Sequence, residues 1–177
     1  MKLKSTILAL GLMAALPACA TADNMKPADL NDLEIAHVAY VADNIDIRYA
    51  HLALAISENP KVRDFARTMI RDHTAVNEQA LALLDKLNAK PQDNFLSRDL
   101  QKNAAKLVDE MSGLRGDAFD KRYAANELAY HKAVNDLVEN AFIPNIENAE
   151  VKSLFEAGLK IFKAHEGHAE QMVAGLK

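Results

Sequence analysis

The sequence predicts an all-α fold: an antiparallel up-down bundle of four long helices, with an extra short helix between the second and third. Three observations predict it. Apolar residues recur at threes and fours over four long stretches, the spacing that gathers them on one face of a helix. No strand-like alternation of useful length appears anywhere. Six glycines and five prolines in 177 residues are few for a β-rich, turn-dense chain.

Residues 1–20 read as a signal peptide rather than as structure. Lys2 and Lys4 form a short positive start, and Ile7 to Leu16 an apolar run too short to span a bilayer. Two processing routes fit its end. Leu16-Pro17-Ala18-Cys19 resembles a lipobox, with Cys19 as the lipidation site, and Ala18-Cys19-Ala20 fits the small-x-small site of an ordinary signal peptidase. Cys19 is the only cysteine, so it has no partner for an internal disulfide. Lipidation, with Ala20 next in line as in known outer-membrane lipoproteins, implies a lipid anchor in the outer membrane. The alternative is a soluble periplasmic protein. Residues 21–28 then form a tether, and 29–177 the bundle domain.

The first helix runs from Asn31, with Val38, Ala42, Ile45, Tyr49, Leu52 and Ile56 along one stripe. Asn59-Pro60 starts the second, Asn59 as N-cap and Pro60 where its missing N–H costs nothing. Val62, Phe65, Met69, Val76, Leu83 and Leu87 are its stripe, and it ends before Pro91. Ser97 is the expected cap of a shorter helix through Met111, broken by Gly113 and Gly116. The third long helix starts at Asp117 and ends at Pro144, and the fourth begins near Asn148. Four helices with one apolar face each must bury those faces against one another.

Charge excludes some partners. The net charge is −4, and removing the leader takes away two lysines and no acid. An acidic domain without a basic face is a poor match for nucleic acid. Gly-rich phosphate loops, cysteine pairs and serine-nucleophile motifs are all missing from the sequence.

Polar residues interrupt the stripes. His73 lies four after Met69, and His165 three after Phe162. His131 lies three before Val134 and four after Glu127, so those two share a face, and Asp46 lies on the core flank of the first helix. Each long helix thus sends an ionisable group toward the interior, where burial unpaired costs several kcal/mol. A transition-metal site built from His73, His131 and His165 with Asp46 and Glu127 is one solution, for copper, zinc or iron. A structural layer of histidines donating to carboxylates is another, and an organic-ligand site a third. His168 is three residues after His165, close enough to serve the same ion, but His165-Glu166-Gly167-His168 is not the H-E-x-x-H zinc-protease motif. Asp72 adjoins His73 but points away from it, toward a neighbour or toward water. His37 and His51 fall on another face of the first helix, toward solvent.

Asn59-Pro60-Lys61-Val62-Arg63-Asp64-Phe65-Ala66, followed by Met69-Ile70-Arg71-Asp72-His73, resembles the second-helix signature of the bacterial domain-of-unknown-function family 4142. Phe119-Asp120-Lys121-Arg122-Tyr123 with His131, and then His165, is similar to that family's later pattern. The resemblance runs from about residue 33 to 175. It implies a ferritin-like fold, export, frequent lipid anchoring and no established activity, and its polar pattern carries onto Asp46, Asp72, His73, His131 and His165. Dimetal centres of ferritin-like proteins use a Glu-x-x-His on two helices. Here Ile70, Leu128 and Phe162 stand three residues before the histidines, which weighs against a dimetal oxidoreductase. The functional expectation is an exported, non-enzymatic protein with an envelope or stress-related role, and the alternative a periplasmic metal-binding protein.

Overall fold

The structure is a computed structural model and describes residues 25–176. The expected signal peptide, Cys19 and the start of the expected tether lie outside the described residues. The fold is all-α, with five helices and no strand among the described residues. They are α1 (Asp32–Ile56), α2 (Pro60–Lys86), α3 (Phe95–Ser112), α4 (Gly116–Leu137) and α5 (Ala149–Gly175). A single 3-10 turn, Pro27–Asp29, precedes α1, and a wide π turn, Val138–Phe142, prolongs α4. None of these helices is long and apolar enough to cross a membrane.

Asparagine starts four of the five helices. Asn31, Asn59, Asn94 and Asn148 each accept from backbone N–H groups of the first turn that would otherwise have no partner. Ser97 does not cap α3 as expected. Asn94 takes that place, and Ser97 closes the reciprocal bond to the Asn94 backbone N–H. Nor does Asp117 cap α4, which starts one residue earlier at Gly116. That glycine holds φ +54°, a left-handed turn that a side chain would strain.

Helix α1 packs on α2, α3 and α4, while α5 packs on α2 and α4. Pairs along α1 and α2 show that they run antiparallel: Arg63 meets the Leu54 carbonyl near the connection, and His73 meets Asp43 farther along. In α4 and α5 the pairs Lys132–Glu170, Asn135–Glu166 and Glu139–Lys163 show the same. The four long helices therefore close a ring of contacts around one interior, with α3 laid against α1.

That interior has two apolar clusters. One holds Tyr49, Phe65, Met69, Phe119, Tyr123 and Met172, and the other Ile35, Val38, Phe142, Val151 and Leu159. Along α2, α4 and α5 the ionisable core residues fall between the segments that serve each cluster. His73 follows Met69 and precedes Leu83, Glu127 and His131 follow Ala124 and precede Val138, and His165 follows Leu159 and precedes Ala169. A polar layer divides the core.

One buried bond ties the first helix pair to α4. Ser57 Oγ–H donates to Asp120 Oδ1 at 2.5 Å, with both residues almost fully buried. Ser57→Ala leaves that carboxylate without its donor, and the expected loss is about 1–3 kcal/mol in denaturant unfolding. An unchanged unfolding midpoint would contradict the bond.

Candidate metal centre

The layer brings together Asp43 and Asp46 from α1, His73 from α2, Glu127 and His131 from α4, and His165 from α5, all buried. It assembles because antiparallel helices set mid-helix residues at one height. His73, His131 and His165 each offer a ring nitrogen to a common region, and the three nitrogens lie within 4.8 Å of one another. Asp46, Glu127 and His131 form a second such group.

Hydrogen bonds on the outer ring nitrogens decide what points inward. His131 Nδ1 lies 2.9 Å from the Glu127 backbone carbonyl, which can only accept, so Nδ1 carries the proton and Nε2 presents its lone pair. His165 Nε2 donates to Asp72 Oδ2 at 3.0 Å, leaving Nδ1 as the inward acceptor. His73 Nδ1 donates to Asp43 Oδ1 at 2.7 Å, and its Nε2 faces inward. These three nitrogens, His73 Nε2, His131 Nε2 and His165 Nδ1, have no hydrogen-bond partner, and neither has either oxygen of Asp46 or Glu127. Asp46 Oδ2 lies 3.2 Å from His73 Nε2 and 3.3 Å from His131 Nε2.

The charges follow from burial and these neighbours. Burial opposes a charge on His73, but Asp46 and Asp43 overcome it and hold the imidazole up to about 10. Burial pushes His165 down to about 4 and His131 below its ordinary value. Burial also opposes ionisation of Asp46, yet His73, helped by His131 and His165, holds its carboxyl low. Burial and then Asp46 push Glu127 well above the carboxylate range. Burial raises Asp43 despite its bond to His73. The layer thus has one proton held between two aspartates, two neutral imidazoles facing it, and one carboxylate kept ionised.

A transition metal fits this donor set. Histidine ligands of metals hold their outer N–H on a carboxylate or carbonyl, which fixes the tautomer and aims the lone pair. Asp43, the Glu127 carbonyl and Asp72 supply those three acceptors. Metal–nitrogen bonds of about 2.0–2.1 Å require the nitrogens to be at most about 4.2 Å apart, so a small inward shift suffices.

Asp72 is half-buried and clasped by the exposed Arg71 guanidinium, whose hydrogen bond holds its carboxyl low. His168 is exposed and lies outside the cluster, in a surface cleft with Lys61, Asp64 and Thr68. His51 is exposed, and His37 is half-buried, 3.9 Å from Asp93. Sequence reading missed Asp43, although its spacing from Asp46 places both on one face of α1. It also missed that Phe162, taken as a stripe residue, stacks on His73 with ring centroids 4.7 Å apart.

The chain belongs to the family described as domain of unknown function DUF4142, whose model matches residues 16–172. Among solved structures it is similar to one titled "CopM in the Cu(II)-bound form", with a TM-score of 0.66 at 15% sequence identity. That match covers 84% of this chain and 99% of the other, and at so low an identity it shows a shared fold alone. No curated protein matches the chain by sequence.

Proposed function

We propose that this protein is an exported metal-binding protein that holds one transition-metal ion through His73 Nε2, His131 Nε2, His165 Nδ1 and a carboxylate oxygen of Asp46. A single observation carries the reading. Two inward imidazole lone pairs, on His131 and His165, an ionised Asp46 carboxylate and a His73 Nε2–H whose proton an ion can displace converge in one buried layer. Glu127, beside them and without a partner, is a further oxygen donor. Three imidazoles and a carboxylate suit zinc, copper(II) or iron(II), and the absence of thiolate speaks against the softest ions. A neighbour in fold is described as Cu(II)-bound, which makes copper the first ion to test.

The bundle reads as a ferritin-like up-down four-helix bundle. Its role is storage or transfer of the ion in the envelope, under metal stress, rather than catalysis. The leader and Cys19 support export, with the lipid form anchored in the outer membrane. A second reading is a structural polar layer. The charged His73 between Asp43 and Asp46 favours it, because its charge offsets that of the neighbouring carboxyls without a metal ion.

Elemental analysis of protein from its native compartment, followed by titration of the metal-free form with copper(II) and zinc, separates the two. The expected result is about one equivalent per chain and a stabilisation of about 4 kcal/mol at a thousandfold excess over Kd. Failure of either metal to bind or to raise the melting temperature would leave the structural layer as the function of these residues.

A further inference from the structure

Beside the metal centre, toward the end closed by the π turn, the helices leave a partly open apolar cavity of about 50 Å³. Val38 and Ala42 of α1, Ala80 of α2, Val134 of α4, and Gly158 and Phe162 of α5 form its walls. The room comes from small side chains on three helices, and from the widened backbone at Val138–Phe142, which also lines it.

Three polar side chains, Tyr40, Asp43 and Asn77, break the apolar lining, and two of them are buried. Asp43 is buried, with one oxygen on His73 Nδ1–H. Asn77, one turn beyond His73 on α2, is more than nine-tenths buried, and its Oδ1 meets no donor. A void in a core forfeits packing, and an unpaired buried carbonyl forfeits a hydrogen bond. Here both losses fall in one place. A single water would satisfy the acceptors but leave the apolar walls without contacts.

We propose that this cavity is a binding site for a small molecule with a hydrogen-bond donor at one end and a short aliphatic body, of the alcohol or alkylammonium class. The donor meets Asn77 Oδ1, with the Asp43 carboxylate beside it, and the body lies against Val38, Val134 and Phe162. A water-sized body needs about 10–15 Å³ of such space, so the cavity takes about three to five heavy atoms. The buried Asn77 Oδ1 and the Asp43 carboxyl disfavour carboxylates and phosphates at the inner end of the site. The inference does not depend on the metal reading, since its ligand touches no nitrogen of the three inward histidine atoms.

Saturation-transfer NMR on the full chain tests it, with isobutanol and isobutylammonium as probes and xenon as a purely apolar control. Saturable binding of either probe is expected, and the tighter of the two says whether the donor is neutral or charged. Ala80→Phe fills the cavity and should weaken the probes and xenon at least tenfold. Asn77→Leu keeps the walls and removes the acceptor, so the probes should weaken about tenfold while xenon still binds. Should Ala80→Phe fail to fold, Asn77→Leu decides alone. Absence of saturable binding to the wild type would mean water only, and binding unchanged in Asn77→Leu would place the probes elsewhere. Either result overturns the proposal.

Discussion

His73→Leu removes metal binding and costs the metal-free protein about 3–5 kcal/mol, the loss typical of breaking a buried ion pair from one side. The cause is the company His73 keeps. Its Nδ1–H is bound to Asp43 at 2.7 Å and its Nε2 lies 3.2 Å from Asp46, with all three residues buried. Leucine fills the volume but leaves two carboxyls without a counter-charge. Against the usual 5–15 kcal/mol of a domain, that is a large fraction. His165→Leu provides the contrast. That imidazole is neutral, its Nδ1 has no partner, and Asp72 keeps Arg71 when the ring is gone. The expected stability change is within about 1.5 kcal/mol, while binding is still lost. Urea unfolding of both variants, with copper(II) and zinc titrations alongside, measures all four quantities. Equal stability losses would contradict the assigned charges, and retention of full binding by His165→Leu would remove it from the ligand set.

Much of this was legible in the sequence because helices write their packing in a simple period. The stripes place Asp46, His73, His131 and His165 inward, and short connections force antiparallel neighbours, so four mid-helix groups were bound to meet. The rest was hidden for physical reasons. Asp43 is an ordinary polar residue until His73 is seen across from it, since which acid meets which imidazole depends on helix rotation by a few tens of degrees. Asp72 sits about 100° from the inward direction of His73, yet it reaches α5 because adjacent helices share a seam. Nothing in the spacing says which histidine bears charge. That follows from what each ring nitrogen meets: an aspartate on both sides of His73, a neutral backbone carbonyl on the outer side of His131, and one half-buried carboxylate for His165. The apolar cavity depends on small residues from several helices and a π turn, a coincidence that no single-helix pattern encodes.

Acidity should separate the fold from the metal centre, because the two respond oppositely to alkali. His165 is pushed down to about 4 by burial, against an ordinary 6.5. Between those values the unfolded chain takes up a proton that the native state refuses, so this residue makes stability rise with pH across that window. His73 works the other way. Held up to about 10, it keeps a proton the unfolded chain gives up, so its contribution is fully present below 6.5 and is lost as pH rises through about 10. The metal-free protein is therefore expected to be most stable near neutrality. An ion at His73 Nε2 must displace the proton that His73 carries there, so apparent affinity should climb by about tenfold per pH unit from neutrality toward 10, with about one proton released per ion. Denaturant unfolding across pH gives the first curve, and calorimetric titration in buffers of different ionisation enthalpy gives the second. A metal-free protein that keeps gaining stability between pH 7 and 10 would refute the charge on His73. A pH-independent affinity over the same range would show that the ion is held without its Nε2.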